Sequence, residues 1–459
     1  MTATLDQPIT SYQGGCDFLE SFIDYERRGF HHDFAEAARL DVMRSLLAVL
    51  DNPQQHWLAI HIAGTKGKGS VAAMMDAALR EAGHTTGLYT SPHLVTIRER
   101  VRIGGRKISP TGLIDAAEKV RQAISELNAN DLRQPTFFEV YTALAFQAFA
   151  DAGVDVAVIE AGLGGRLDAT NVITPMVTVI TSIDLDHTHI LGNTVQEIAA
   201  EKAGIIKPGT PVVIARQTPE VHDVLAERAA QVGAPLLTAP DVAEFGPVSP
   251  LPVPEASNDF QPPTERFVLS TDTGPLEVHC ALAGYHQANN AATAYAALQA
   301  LADDGFTVSS TQFQTALAQL QWPARFQVAR ARPWLIIDCA HNPASARALT
   351  SALHRHLEYD KLTMVVGISA DKDIKQILGI LCPAADRVIV TQADNPRALP
   401  AEHLAEAVRQ EFAGPIWVTP TVKEAVELSG EVTTQREAIC ITGSFFVAGE
   451  AMEHLGLET

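Results

Sequence analysis

The stretch "HIAGTKGKGSVAAMM", residues 61–75, joins an apolar run to an alanine-rich run through seven residues that include three glycines and two lysines. The apolar run is typical of a strand buried on both faces, and the alanine-rich run is typical of a helix. Glycines at such a junction let successive backbone N–H groups turn toward one centre, where the helix N-terminus adds partial positive charge. Lys68 adds a mobile full charge. The stretch therefore predicts a cradle for the phosphates of a nucleotide.

This loop departs from the usual Walker pattern, because the first position of the usual spacing is absent. Gly69, rather than Ser or Thr, follows Lys68. A hydroxyl contact to a metal directly after the lysine is therefore not expected. The alternative interpretation is a glycine-rich turn without a ligand, but it explains neither Lys68 nor the strand–loop–helix context.

Short β-branched runs alternate with longer alanine-rich stretches along the chain. Such strand–helix alternation predicts a parallel sheet with helices on both faces. The first series of predicted strands is "WLAIHIAG" (57–64), "VDVAVIEAG" (154–162), "MVTVITSI" (176–183) and "TPVVIAR" (210–216). The second series is "WLIIDCAH" (334–341), "LTMVVGI" (362–368), "RVIVTQAD" (387–394) and "AICITGS" (438–444).

The two series predict an α/β fold with two domains and a boundary just before Trp322. Residues 1–321 form a domain with a P-loop-type, mostly parallel sheet. Residues 322–459 form a second, smaller Rossmann-like α/β domain. Residues 240–263, which contain seven prolines without a clear period, are interpreted either as a domain linker or as a surface excursion inside one domain.

Composition excludes several classes of protein. The 459 residues carry a formal charge of -20, which argues against nucleic acid and anionic membranes as main partners. The five cysteines are widely spaced, which fits reduced thiols in a cytosol better than disulfides or a zinc site. We find neither a signal peptide nor an apolar run of about 18 residues. We therefore expect a cytoplasmic monomer that acts on small molecules.

Further motifs follow the loop in a fixed order. They are "YTSPHL" (89–94), "FFEVYTALAF" (137–146), "VIEAGLGGRLDATNVI" (158–173), "DLDHTHILGNT" (184–194), "EKAGIIK" (201–207), "WPARF" (322–326), "DCAHNP" (338–343), "SADKD" (369–373), "NPRALP" (395–400) and "ITGS" (441–444). This series resembles the folylpolyglutamate synthase and dihydrofolate synthase family of the Mur ligase superfamily, and the resemblance runs from about residue 17 to about residue 450. One departure is Lys66, where many members carry Asn.

The resemblance implies an ATP-dependent ligase that joins L-glutamate to a folate-type carboxylate through an acyl phosphate, releasing ADP and phosphate. It places ATP on the phosphate loop, on Asn290 (adenine), on Arg325 (phosphate) and on Asp338 (ribose). Lys66 is interpreted as a further phosphate contact or as a residue that faces solvent. The residues assigned to the loop are Gly64, Thr65, Lys66, Gly67, Lys68, Gly69 and Ser70.

Magnesium needs hard oxygen ligands. By motif match the resemblance assigns Ser91, Glu139 and His187 to its shell. Glu139 lies in an otherwise apolar helical stretch, where a buried carboxylate needs a partner. Lys202 in "EKAGIIK" matches a lysine that is often carbamylated in this family, and an anionic carbamate would help to orient the metal.

"WLIIDCAHNP" puts Asp338 and His341 just past the carboxyl end of a strand, where open α/β sheets place ligands. By resemblance His341 and Ser444 lie at the glutamate site. The predicted catalytic residues are Lys68, His187, Lys202 and His341. Weaker candidates are Asp168 and Asn171 in the active-site wall, and Lys372 and Arg397 as charges at the rim.

Two other functions are compatible with the phosphate loop. A Mur-type ligase acting on a nucleotide-linked muramyl peptide usually carries an additional N-terminal domain, whereas about 57 residues precede the first strand here. A nucleotide-dependent switch protein would explain the loop but not "DCAHNP" or "ITGS". Which folate acceptor is used, dihydropteroate, a tetrahydrofolate or both, is left open by the residues.

Overall fold

A computed structural model describes residues 7–28, 39–127, 133–251 and 263–459. Within these ranges the chain forms an eight-stranded, a four-stranded and a six-stranded sheet, with helices packed on them. None of the helices in these ranges is both long and apolar enough to cross a membrane.

The eight-stranded sheet contains β1 (Leu58–Ala63), β2 (Thr86–Tyr89), β3 (Val101–Ile103), β4 (Arg106–Lys107), β5 (Val156–Glu160), β6 (Val177–Ile180), β7 (Val212–Ile214) and β8 (Leu236–Thr238). Its order is β4-β3-β2-β5-β1-β6-β7-β8. The strands from β2 to β8 in this order run parallel, and β3 and β4 add an antiparallel edge. The central strand β1 is hydrogen-bonded on both sides, so Ile60 pairs with both Val158 and Val177.

The helices of this domain cover both faces of the sheet, as its apolar strands require. Ile60 and Ile62 on one face of β1 pack with Val71 and Met74 in one apolar core. The helices are α1 (Tyr12–Glu20), α2 (Tyr25–Arg28), α3 (Leu40–Val49), α4 (Lys68–Glu81), α5 (Pro110–Leu127), α6 (Phe137–Ala152), α7 (Thr188–Leu191), α8 (Val195–Ala203), α9 (Pro219–Val232), α10 (Ala239–Val242), α11 (His286–Gln299) and α12 (Ser310–Ala318).

A small antiparallel sheet follows, which the sequence patterns did not predict. It contains β9 (Ala243–Phe245), β10 (Ser249–Leu251), β11 (Thr264–Thr271) and β12 (Gly274–Cys280). Phe267 and Val278 from this sheet join the same apolar core as Ile60. The part of the proline-rich segment that precedes residue 252 is therefore an excursion within the first domain. The remainder of that segment, up to residue 262, lies outside the described residues.

The strands of the second domain are β13 (Gln327–Ala331), β14 (Trp334–Ile337), β15 (Leu362–Val366), β16 (Arg387–Val390), β17 (Ile416–Val418) and β18 (Ala438–Thr442). They comprise the four predicted parallel strands, one parallel strand that was not predicted (β17) and one antiparallel strand (β13). Their order is β13-β14-β18-β15-β16-β17, and only β13 runs antiparallel to its neighbour in this sheet. The helices are α13 (Pro343–His356), α14 (Ile374–Leu381), α15 (Ala401–Glu411), α16 (Val422–Val432) and α17 (Phe445–His454).

The connection between α12 and β13 links the two domains and contains the predicted boundary. Trp322 packs against the apolar core of the first domain, and the Arg102 guanidinium lies 5.7 Å from the centre of its ring. Phe326 belongs to the core of the second domain. The chain therefore passes from one core to the other within these few residues.

A buried charge cluster fastens the small antiparallel sheet to the second domain. The Glu265 side chain is fully buried and accepts hydrogen bonds from His356 Nε2 at 2.8 Å, Arg355 Nη2 at 3.3 Å and the Gly284 amide at 2.9 Å. Burial alone would raise the pKa of Glu265, but the hydrogen bond from His356 and the charges of His356 and Arg355 lower it below its ordinary value. The carboxylate is therefore held ionised at this domain contact.

We expect Glu265→Ala to destabilise the protein by about 3 kcal/mol, because it leaves His356 and Arg355 without their buried partner. The midpoint of urea unfolding measures the loss. Glu277→Ala is the matched control: Glu277 lies on the neighbouring strand, is half exposed, and should leave the unfolding midpoint nearly unchanged. Equal midpoints for the two variants would contradict this account of the contact.

Candidate active site

A cleft of about 1300 Å³ lies between the two domains. The first domain contributes the loops after β1, β2, β5 and β6, and the second contributes the loops after β14, β15, β16 and β18. Each of these loops follows the carboxyl end of a strand, which is where open α/β sheets bind ligands. The cleft is therefore the candidate active site.

The phosphate loop, residues 64–70, connects β1 to α4 at the floor of this cleft. The amides of Thr65 and Lys66 both donate to the Ser182 carbonyl at 3.0 Å, which fastens the loop to the end of β6. Gly64 has a φ of +151°, and a Cβ there would lie 1.9 Å from Thr181 Oγ1. A Cβ on Gly67, at φ +86°, would lie 2.4 Å from Asn290 Oδ1. Both positions therefore require glycine.

The buried Lys202 and the partly buried Lys68 meet at the carbonyl oxygen of Gly64. Lys68 Nζ donates to it at 3.2 Å and Lys202 Nζ at 2.9 Å. Burial, together with the charge of Lys68, lowers the pKa of Lys202 to about 7. About half of the Lys202 side chains are therefore neutral near pH 7, unlike an exposed lysine.

Glu160, the last residue of β5, faces the same loop. Its carboxylate lies 3.8 Å from Lys68 Nζ and accepts from the Ser91 amide at 3.3 Å. The side chain is almost fully buried, and burial raises its pKa although Lys68 and the Ser91 amide act against that shift. A buried carboxylate with a single cation at this distance has capacity to bind a further positive charge.

Asp186 connects the phosphate loop to the second domain. Lys66 Nζ lies 3.2 Å from one of its oxygens, and Lys372 Nζ lies 3.6 Å from the other. Burial alone would raise the pKa of Asp186, but the charges of Lys66 and Lys372 lower it far below its ordinary value. His187 Nε2 lies 3.8 Å from the same carboxylate, and burial lowers the pKa of His187 to about 4.

Asp338 and His341 face the cleft from the second domain. Asp338 accepts from the amides of Phe326 and Ala340, each at 2.8 Å, and burial raises its pKa. His341 Nδ1 lies 2.8 Å from the Cys339 carbonyl, so it is the protonated nitrogen of the neutral ring. Burial, with the charges of Lys372 and Lys66, lowers the pKa of His341 to about 3.

Three other predicted residues also reach the cleft. The Arg325 guanidinium lies 5.1 Å from the ring centre of Phe445 and contacts the Cys339 thiol. Ser444 Oγ accepts from the Val447 amide at 3.0 Å and so caps α17. Asn290, on α11, lies beside Gly67 in the phosphate loop.

Glu139 lies in the cleft wall but is engaged elsewhere. Both of its oxygens bind Arg133, at 2.6 and 2.8 Å, and one also accepts from the amide and hydroxyl of Thr136 as the capping box of α6. Asp168 accepts from the amides of Leu163 and Thr170 within its own loop. These carboxylates therefore have full sets of local partners.

Asn171, Lys372 and Arg397 have structural partners as well. Asn171 Nδ2 donates to the carbonyls of Arg166 and Gly204 and so shapes the loop after β5. Arg397 pairs with Asp371 at 2.7 Å and donates to the Glu26 carbonyl across the cleft at 2.8 Å. Arg397 and Lys372 thus both link the two domains.

Comparison with known proteins identifies the family. The Mur ligase middle domain matches residues 62–298, and the Mur ligase glutamate ligase domain matches residues 324–445. The chain is 36% identical to the dihydrofolate synthase/folylpolyglutamate synthase of Mycobacterium tuberculosis, over 90% of this chain and 89% of that protein. It belongs to the dihydrofolate synthase/folylpolyglutamate synthase family. The Bacillus subtilis member is 32% identical, over 90% of this chain and 94% of its own length.

Solved structures of this family have the same fold. Mycobacterium tuberculosis folylpolyglutamate synthase complexed with ADP superposes with a TM-score of 0.83 and 34% identity, covering 93% of this chain and 97% of that one. Escherichia coli FolC in complex with DHPP and ADP gives a TM-score of 0.82 and 28% identity, covering 99% of each chain. The predicted family and α/β fold class are confirmed.

The folded chain brings the residues predicted from family motifs, apart from Asn171, into one cleft. Its lining includes Gly64, Thr65, Lys66, Gly67, Lys68, Gly69, Ser70, Ser91, Glu139, Asp168, His187, Lys202, Asn290, Arg325, Asp338, His341, Lys372, Arg397 and Ser444. Sequence reasoning missed Glu160 and Asp186. A signal for Glu160 was present, since a carboxylate ends the apolar run "VDVAVIE" and must lie at the ligand-binding edge of the sheet.

Proposed function

We propose that this chain is an ATP-dependent ligase that joins L-glutamate to a folate-type carboxylate and acts as a monomer in the cytoplasm. The observation that carries the proposal is the cleft itself. A phosphate loop with Lys68 and Lys202 on one side faces Asp338 and His341 on the other. Family members are named for this reaction, and solved relatives bind ADP.

Both half-reactions require that negative charges be gathered and neutralised. In the first, an oxygen of the acceptor carboxylate attacks the γ-phosphorus of ATP, giving an acyl phosphate and ADP. In the second, the amine of glutamate attacks the acyl carbon, phosphate leaves with the electron pair of the C–O bond, and the amine loses a proton. The loop amides and Lys68 would hold the phosphates in the first step, with Arg325 supplying a further cation.

Nucleotide binding is supported by the fit of the loop and its neighbours. Because Gly64 and Gly67 lack a Cβ, the loop packs closely against β6 and α11. The loop amides lie at the N-terminus of α4, a helix of 14 residues. We assign the adenine to the side of Asn290 and the ribose to Asp338, as the family resemblance implies. Asp338 is already oriented by two backbone amides.

His341 is proposed to hold the amine of glutamate. Its pKa of about 3 keeps the ring neutral at pH 7, and Nδ1 donates to the Cys339 carbonyl. The lone pair at Nε2 is therefore available to accept a hydrogen bond from an amine N–H. Ser444, at the start of α17, is proposed to contact the same substrate.

For Mg²⁺ we propose Glu160, Ser91 and His187 as protein groups, with Glu160 in place of Glu139. Glu160 has a buried carboxylate beside Ser91, whereas both oxygens of Glu139 are bound to Arg133. No group of three His, Cys, Asp or Glu side chains in the described ranges forms a ready metal cage. Magnesium commonly keeps several waters and few protein ligands. When bound, it would neutralise charge on the phosphates.

Lys202 is proposed to carry a carbamate in the active enzyme. Its amine is fully buried with a pKa of about 7, so the neutral form that reacts with carbon dioxide is well populated above that pH. The amine nitrogen bonds to the carbon of carbon dioxide and one proton is released. The product is an anion with an N–H that could still donate to the Gly64 carbonyl.

The proposed reaction is tested by phosphate release from ATP with a panel of acceptors. We expect release to depend on both L-glutamate and a pteroate or folate, and a muramyl nucleotide to remain at background. Comparing dihydropteroate with tetrahydrofolate decides which of the two synthase activities this chain has, or whether it has both. Glutamate-independent hydrolysis with every acceptor would instead support a nucleotide-dependent switch.

Glu160→Gln should lower kcat about 100-fold and raise the Mg²⁺ concentration needed for half-maximal rate, since it removes the carboxylate charge beside Ser91. Glu139→Gln is the matched comparison within the same cleft. It should leave the Mg²⁺ requirement within about twofold and mainly lower stability, by weakening the ion pair with Arg133. If Glu139→Gln instead raised the Mg²⁺ requirement and Glu160→Gln did not, Glu139 would be the metal ligand.

Carbon-13 bicarbonate should label Lys202, with a carbamate signal in the NMR spectrum of the active enzyme at pH 8. Below the pKa of about 7 the amine is increasingly protonated, so the signal and the activity should both fall by pH 6. Lys202→Met should lack the signal and be nearly inactive, and acetate could partly restore it. A fully active, metal-loaded enzyme without the signal would refute the carbamate.

A further inference from the structure

The two lysines of the phosphate loop point to different partners. Lys68 Nζ donates to the Gly64 carbonyl and lies 3.8 Å from Glu160, both within the first domain. Lys66 Nζ instead lies 3.2 Å from Asp186, whose other oxygen is 3.6 Å from Lys372 of the second domain. The Lys66 side chain therefore lies where the two domains meet and contacts different residues from Lys68.

This meeting point borders the proposed amine site. The charges of Lys372 and Lys66 both act on His341, which places all three side chains in one region of the cleft. Lys66, Asp186 and Lys372 are each mostly buried, with side-chain exposures of 25%, 15% and 11%. Their charges are therefore poorly screened by solvent.

The charges of this trio complement those of free glutamate. Two lysines and one aspartate carry a net charge of +1, and glutamate, with two carboxylates and one ammonium, carries -1. The Asp371 carboxylate lies 3.8 Å from Lys372 Nζ and 2.7 Å from Arg397. The charges of Asp371 and Arg397 cancel, so this second pair leaves the balance unchanged. Asp184 acts on Lys66 only at longer range, and its carboxylate accepts from the Leu185 amide.

We propose that Lys66, Asp186 and Lys372 form the subsite for the charged groups of the incoming glutamate, an inference that rests on the proposed function. Lys66 and Lys372 each donate to a carboxylate, and Asp186 accepts from the nitrogen that will attack. Each ammonium has three N–H donors, so both lysines can keep Asp186 while they bind substrate. Lys66, the residue at which this chain departs from many family members, thereby selects the substrate amino acid rather than the nucleotide.

Lys66→Asn tests this assignment in the full-length enzyme with its acceptor, ATP and Mg²⁺. We expect the KM for L-glutamate to rise about tenfold, the effect of losing one charge-assisted hydrogen bond, while the KM for ATP stays within about twofold. Lys66→Arg, which keeps the charge, should restore much of the glutamate affinity. Lys375→Asn, an exposed lysine on α14, is the matched control and should leave both KM values unchanged.

A second measurement, the preference for glutamate over glutamine, distinguishes the loss of a substrate contact from a general distortion of the phosphate loop. L-glutamine is similar in shape to glutamate but lacks its side-chain charge, so wild-type enzyme should prefer glutamate strongly. Lys66→Asn should reduce the ratio of kcat/KM for glutamate over glutamine about tenfold. A loop that had merely loosened would lose activity toward both amino acids alike.

Two outcomes would overturn the inference. A rise in the KM for ATP at constant KM for glutamate would assign Lys66 to the nucleotide. Unchanged KM values and an unchanged glutamate-to-glutamine ratio would make the Lys66–Asp186 pair purely structural. Either result differs from failure of the proposed function, in which wild-type enzyme itself would show no glutamate-dependent phosphate release.

Discussion

The carbonyl oxygen of Gly64 is the point on which the candidate site depends. Lys68 and Lys202 both donate to it, and the same residue lies so close to Thr181 that no Cβ could be accommodated. This close approach sets the position of the loop against β6 and gives Lys202 its buried surroundings. The pKa of Lys202 is lowered because the side chain is buried beside this glycine and close to the charge of Lys68.

The cleft is rich in positive charge, whereas the protein as a whole is acidic. The chain as a whole has a formal charge of -20, yet lysines converge where the two domains meet. An acidic exterior with a local cationic site disfavours polyanions such as nucleic acid and still permits a small anionic substrate. The carboxylates in the cleft, Glu160 and Asp186, face these lysines, so the site can bind both anions and cations.

The sequence predicted parallel strands more successfully than antiparallel ones. Most of the buried parallel strands form apolar runs, and their positions could be predicted because each is buried on both faces. The strands β2 to β4, β8, β13, β17 and those of the small sheet β9 to β12 were missed. Most of them are short, and the two longest, β11 and β12, alternate in polarity instead of forming a continuous apolar run. The pair formed by Glu265 and His356 could not be anticipated because 91 residues separate its members in the chain.

The sequence by itself determined the family, the main buried strands of each domain and the phosphate loop, because these depend on local composition and on motifs. Only the tertiary structure decided what each charged side chain contacts. Glu139 lies in the more conspicuous motif, but Arg133 occupies it, while Glu160 at the end of β5 is open to the cleft. Lys66 was expected at the phosphates or in solvent, and the fold instead pairs it with Asp186, 120 residues away. Such assignments depend on distances between remote segments, which no local pattern records.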